Sequence, residues 1–327
     1  DDYVKALQNV PLQEAIPGGA GTTPQGDPTL LSNMITGTLG LPKQALEAAQ
    51  HDVTHNIGNP NASRETVGPA FEIAKALMGM GTPFAETNAA GIFGGKLAKT
   101  ADLSALKRAE ELTALGKSPE EVRMSTGWHQ GASDGKWRFE IPDNKSNLNY
   151  LPDVEGDTAI GTVPNLFNHP ELMKAYPQLK DYNMNLTLDK NPRAPNGSGL
   201  FAGTTASVNA PNYQTGRSVA LHELQHAVQG IEGFSEGATP NFYASKVEKS
   251  LGPENFDYDK IQQQAFDAYL RNAGEVEARN VQTRRDYSPI ERLTKSPLDT
   301  EDFGIKDQNI IDPSTSMIKY LRDSRFK

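Results

Sequence analysis

The pentad His222-Glu223-Leu224-Gln225-His226 narrows the folds open to this chain more than any other stretch. Its two imidazoles, four residues apart, meet one metal ion only if the segment is helical, because positions i and i+4 share a helix face. Glu223 then stands where it reaches a water on that metal, the arrangement of zinc hydrolases. Leu221, Leu224 and Val228 recur at helical spacing beside the histidines, which predicts a helix at the margin of a buried core. The flanks agree, with Ser218 or Thr215 placed to cap the helix start and Gly230 where a helix commonly ends. The competing reading is an ordinary amphipathic helix whose histidines are solvated.

Composition restricts the chemistry. The 327 residues contain no cysteine, so disulfides, thiol nucleophiles and Cys-ligated zinc are excluded and a metal must be held by His and carboxylate. Net charge is −9 with no long basic run, which speaks against binding a nucleic-acid backbone. No apolar stretch has the length of a membrane span, and no stretch of the sequence reads as a secretory signal. The first residues, Asp1-Asp2-Tyr3, lack an initiator Met, as expected of a processed product or a segment of a longer polypeptide.

The pattern predicts an α+β chain in three parts. Residues 1–100 are punctuated by Pro11, Pro17, Gly18, Gly19, Pro24 and Pro28 and end in a Gly-rich run from Asn88 to Lys96. They read as an extended, loosely helical arm, with short helices over 42–54 and 69–80. A second histidine pair there, His51 and His55, reads as two solvated side chains on a polar helix, since no third ligand follows it. Residues 101–311 read as a compact domain. A helix is expected from Leu103 to Leu112 and another from Pro119, capped by Ser118. Strands are expected over 136–141, 182–188 and 200–208, and one long helix from Tyr258 to Arg284. Residues 312–327 read as a helical tail.

A catalytic zinc site usually has three protein ligands and one water. Glu275, 49 residues after His226, lies at a separation found in zinc peptidases with a glutamate ligand. The stripe Phe266, Leu270, Ala273, Val281 instead passes through Glu277, leaving Glu275 about 160° away on an unbroken helix. Spacing favours Glu275 and periodicity favours Glu277; a break near Gly274 would void the second argument. Glu232 is a third candidate, although position 229 is Gln where that compact motif needs Gly.

Ser218 to Gln229, then Glu232-Gly233-Phe234, Glu236-Gly237 and Gly274 to Gln282, together resemble a zincin-like domain found in large polyvalent proteins of phages and prophages. Upstream, Thr126-Gly127-Trp128 and Asp134 to Ile141 resemble the same family, as does Thr300-Glu301-Asp302 downstream. The resemblance spans about residues 102 to 311. It implies a small mixed or antiparallel sheet, two metal-bearing helices, Zn2+ on His222, His226 and Glu275, and Glu223 as general base.

The expected function is therefore a zinc-dependent peptidase acting on a protein or peptide. Tyr243, Tyr258 and Arg279 are the candidate oxyanion donors. The rival expectation is a virion structural or ejection component whose zincin-like domain is structural or inactive, with the arm contacting other virion proteins. Either reading places the chain in a phage particle, or in the host cytoplasm after delivery.

Overall fold

The structure, a computed structural model, describes residues 91–149, 156–189, 195–251, 256–287, 291–292 and 295–311. The expected short helices of the arm, the pair His51/His55 and the tail over 312–327 lie outside them. Among the described residues the fold is α+β, with eight α-helices and three small sheets. None of these helices is long and apolar enough to cross a membrane.

A helix from Tyr213 to Glu232, α5, carries the HExxH pentad through the middle of the molecule. Leu221, Leu224 and Val228 are fully buried, as their spacing predicts. The helix starts earlier than expected, because Asn212, directly after Pro211, caps it by accepting from the Thr215 N–H. It also runs past Gly230 to Gly233, whose φ of +66° suits the left-handed stop.

A four-stranded mixed sheet covers one side of α5, in the order β5 (Thr158–Thr162), β7 (Asn183–Leu188), β9 (Thr205–Ala210), β8 (Ser198–Ala202). β7 and β9 run parallel, and the two outer pairings are antiparallel. The single strand expected over 200–208 is in fact the β8–β9 hairpin. Gly203, with φ of +63°, opens its two-residue turn, as hairpins with a leading glycine require. Met184, Leu186, Ala206 and Val208 point inward onto α5 in the period-two pattern of a half-buried sheet.

Smaller layers close the other sides. β3 (Trp137–Glu140) sits between β1 (Phe93–Gly94) and β2 (His129–Gln130), flanked by α1 (Leu103–Ala114) and α2 (Pro119–Thr126). Asp102 caps α1, and Ser118 with Glu121 forms a full capping box on α2. A second small sheet pairs β4 (Asn147–Leu148) with β6 (Phe167–Asn168), beside the short helices α3 (Val163–Leu166) and α4 (Pro170–Ala175).

Residues 91–100, expected to belong to the arm, pack into the domain: Ile92, Phe93 and Ala98 join the main core. The glycines read there as looseness include Gly91, where a Cβ would run into the backbone of Ile141.

The long helix expected over 258–284 is two: α7 (Tyr258–Leu270) and α8 (Ala273–Arg284). Asn272 breaks it. Its side chain accepts from the Glu275 N–H, and the Ala273 N–H turns to the Asn309 carbonyl instead of continuing the helix. α6 (Pro240–Leu251) packs against α7 as a helical hairpin.

A buried ionic knot ties β3 to the end of α8. Glu140 accepts from Arg284 at 2.7 Å and from Arg292 at 2.6 and 2.9 Å, with all three side chains nearly inaccessible. Burial opposes ionisation of Glu140, but the two guanidiniums outweigh it and lower its pKa to about 2. A depressed carboxylate pKa contributes stability above the unfolded value near 4.5, and that contribution is lost as pH falls through about 2. Glu140→Gln is therefore expected to destabilise the protein at pH 7 by about 3–5 kcal/mol. In denaturant titrations between pH 4.5 and 2, wild type should lose stability more steeply than the variant.

Candidate metal centre

The cluster comes from two helices. His222, Glu223 and His226 occupy the middle of α5, and Glu275 lies in the first turn of α8. The two imidazole Nε2 atoms are 3.1 Å apart. Glu275 spans them, with Oε2 3.3 Å from His222 Nε2 and Oε1 3.3 Å from His226 Nε2. Donor atoms of the three residues lie within 4.8 Å of one another, the one such group of metal-binding side chains among the described residues.

The groups behind the cluster decide what faces inward. Gln229 Nε2 donates to the Gly274 carbonyl at 2.9 Å and to Glu277 at 3.1 Å, both of which can only accept. Its amide oxygen is thereby turned to His226 Nδ1, 2.8 Å away, which must supply the proton. His222 Nδ1 lies 3.1 Å from Gln282 Oε1, and Gln282 Nε2 donates to Ser218. The Nε2 atoms of both rings and a carboxylate converge on one point. Such a point repels itself unless a cation or a proton occupies it.

The electrostatics have the same sense. Burial works against a charged His226, yet the Glu275 carboxylate, with Glu223 and Gln229, pushes its pKa up to about 9. Burial likewise opposes ionisation of Glu275, but His226 and His222 hold its pKa well below the usual carboxylate range. Glu223 is 3% exposed, and burial raises its pKa despite the nearby histidines and the Phe201 N–H. Its carboxylate faces β8 so closely that a side chain at Gly199 would overlap it.

The remaining sequence candidates lie elsewhere. Glu277 accepts from Arg138 at 2.5 Å and from Gln225 at 2.7 Å, so it anchors Gln229 from behind instead of joining the cluster. Arg138 is held in turn by Asp134 at 2.8 Å. Glu232 accepts from the Tyr176 hydroxyl and the Leu97 N–H on the far side of α5. Tyr258 is exposed, Arg279 is paired with Asp302, and the Tyr243 hydroxyl accepts from Asn272.

Several contributors were not foreseen. The Tyr269 hydroxyl bonds to Glu275, and burial together with that carboxylate raises the pKa of the phenol. Gln229 and Gln282 were legible only as i+3 and cross-helix neighbours of the histidines. Gly237, a small residue in a conspicuous Glu-Gly pair, packs over the cluster while the Ala238 N–H donates to Glu275 at 3.0 Å.

The family described as large polyvalent protein associated domain 23 matches residues 91–149, which run from β1 through β4 and stop before α5. That segment supports a large polyvalent protein context for the chain, and the family description names neither a peptidase nor a metal. No curated protein and no solved structure matches.

A Cβ at position 237 would stand 2.5 Å from Glu275 Oε1 and 2.7 Å from His226 Nδ1. Gly237→Ala is therefore expected to lower the stability of the metal-free protein by about 1–3 kcal/mol, the usual cost of overpacking. Urea denaturation of the two proteins checks this; equal midpoints would mean that the loop does not press on the cluster.

Proposed function

We propose that this chain carries a zinc peptidase centre, with His222, His226 and Glu275 as the metal ligands and Glu223 as general base. The observation that carries the reading is the convergence of ligand atoms from three side chains, each with a partner behind it in Gln282, Gln229 or the Ala238 N–H. Two imidazoles and a carboxylate are a ligand set suited to zinc, and three protein ligands leave a fourth position open. When bound, zinc supplies Lewis acidity, which acidifies water and makes a peptide carbonyl more electrophilic.

The protein's own groups supply the rest. The raised pKa of Glu223 suits a carboxylate that takes a proton from the attacking water and returns it to the leaving amine. β8 is an edge of its sheet, paired with β9 alone among the described strands. Its outer edge runs beside Glu223, which takes the Phe201 N–H, and the backbone groups left along that edge suit pairing with an extended peptide. Tyr269 and Ala238 hold Glu275 in place.

In this reading the domain is one module of a large phage-derived polypeptide, working in the virion or in the host cytoplasm after delivery. A second reading, a structural or inactive zinc site within a virion component, is favoured by the low exposure of His222 and His226, 12% and 11%.

Cleavage of a peptide mixture by the zinc-loaded protein, followed by mass spectrometry, separates the two. Wild type is expected to cleave, and Glu223→Gln to retain zinc while turnover falls about 100- to 10,000-fold. Equal cleavage by both proteins would refute the role of Glu223. No cleavage by wild type would favour the structural reading.

A further inference from the structure

β8 turns only some of its backbone groups outward. Its hairpin with β9 closes in a two-residue turn on the facing pair Ala202 and Thr205, which makes that pair the hydrogen-bonded kind. Such pairs alternate along an antiparallel ladder, so Ser198, Leu200 and Ala202 spend their N–H and C=O groups on β9. The far side of β9 and its turn obeys the same alternation, with the carbonyls of Thr204 and Ala210 accepting from Asn183 and Asp189. The backbone groups of Gly199 and Phe201 are left for the outer edge.

That edge is taken at Phe201. Glu223, reaching from α5, accepts the Phe201 N–H. Gly199 makes the room: it is exposed, and a Cβ on it would overlap the carboxylate, standing 2.6 Å from the carboxyl carbon. Gly199 has no positive φ, so the site uses its missing side chain and not its backbone freedom. An extended peptide that adds to this edge brings a carbonyl oxygen to the same N–H, because strand addition joins N–H to C=O. The peptide and Glu223 therefore compete for a single donor.

We infer that Glu223 is held in reserve on β8, and that the main chain of a bound peptide, by taking the Phe201 N–H, releases it to act as base; the inference rests on the peptidase reading above. Gly199 is the positioning residue of this device. Selection falls on the main chain and not on a side chain: a substrate without a carbonyl at this register leaves the base on the strand.

Amide hydrogen exchange, read residue by residue by NMR on the full-length chain, reports which acceptor holds the Phe201 N–H. In the metal-free protein, Glu223→Ala is expected to speed exchange at Phe201 about tenfold or more, while Leu200 and Ala202, bonded to β9, keep their rates. Glu223→Gln, whose amide oxygen still accepts, should stay near wild type. Gly199→Ala should act like Glu223→Ala, because its methyl group displaces the flexible end of Glu223 and no backbone. Release is tested on zinc-loaded Glu223→Ala with a tripeptide hydroxamate, and with analogues whose backbone carbonyls are reduced to methylene one at a time. The parent compound should restore slow exchange at Phe201, and one analogue should fail to do so. Unchanged exchange in Glu223→Ala would overturn the reserve position of Glu223. A hydroxamate that binds without slowing Phe201 would overturn release by the peptide. If no hydroxamate binds zinc-loaded wild type, the peptidase reading fails, and the release with it.

Discussion

Two imidazole nitrogens 3.1 Å apart, both facing one carboxylate, form an arrangement that the rest of the domain has to hold in place. Left to themselves, such groups turn their lone pairs to water. Here each is fixed from behind. Gln229 is locked by acceptors that leave its oxygen a single direction, and the lock passes through Glu277 to Arg138 and Asp134. His222 is steadied through Gln282 and Ser218. Such layers of partners orient metal ligands and raise their basicity. They are also what separates this cluster from a chance histidine pair on an amphipathic helix.

α5 transmits these constraints to the whole fold. Its apolar residues pack under the mixed sheet, while Gln225 exchanges hydrogen bonds with the backbone of Phe93 and so fastens β1 to the helix. α8 is held against α5 by the cluster at its start and against β3 by Glu140 at its end. Both ends of α8 are therefore anchored by charged groups that are buried or nearly so. Removing one partner there costs more than the pair itself contributes, since it strands the other charge.

Much of this was legible in the sequence, and the gaps have physical causes. The pentad and the apolar stripe of α5 obey helical periodicity, so the helix and its buried face were readable. Its true cap was not, because Asn212, Thr215 and Ser218 all have capping side chains, and Pro211 with the end of β9 decides among them. Glu275 and Glu277 were ranked differently by spacing and by periodicity. The periodicity count assumed one helix, and the break at Asn272 resets the phase: Glu275 joins the histidines and Glu277 meets Arg138. Asn272 caps the new helix locally, while Asn309, which takes the Ala273 N–H, is too far along the chain for local patterns to register. Gly91 looked like slack chain because close backbone approach and looseness write the same letter.

The central claim is that the His222–His226–Glu275 cluster is a zinc site, and zinc bound per chain measures it most directly. Elemental analysis with X-ray absorption should find one zinc per chain after zinc is supplied, with nitrogen and oxygen ligands at about 2.0–2.2 Å. His222→Ala should lose that zinc. Wild type that binds no zinc, or zinc that the substitution leaves in place, would contradict the account.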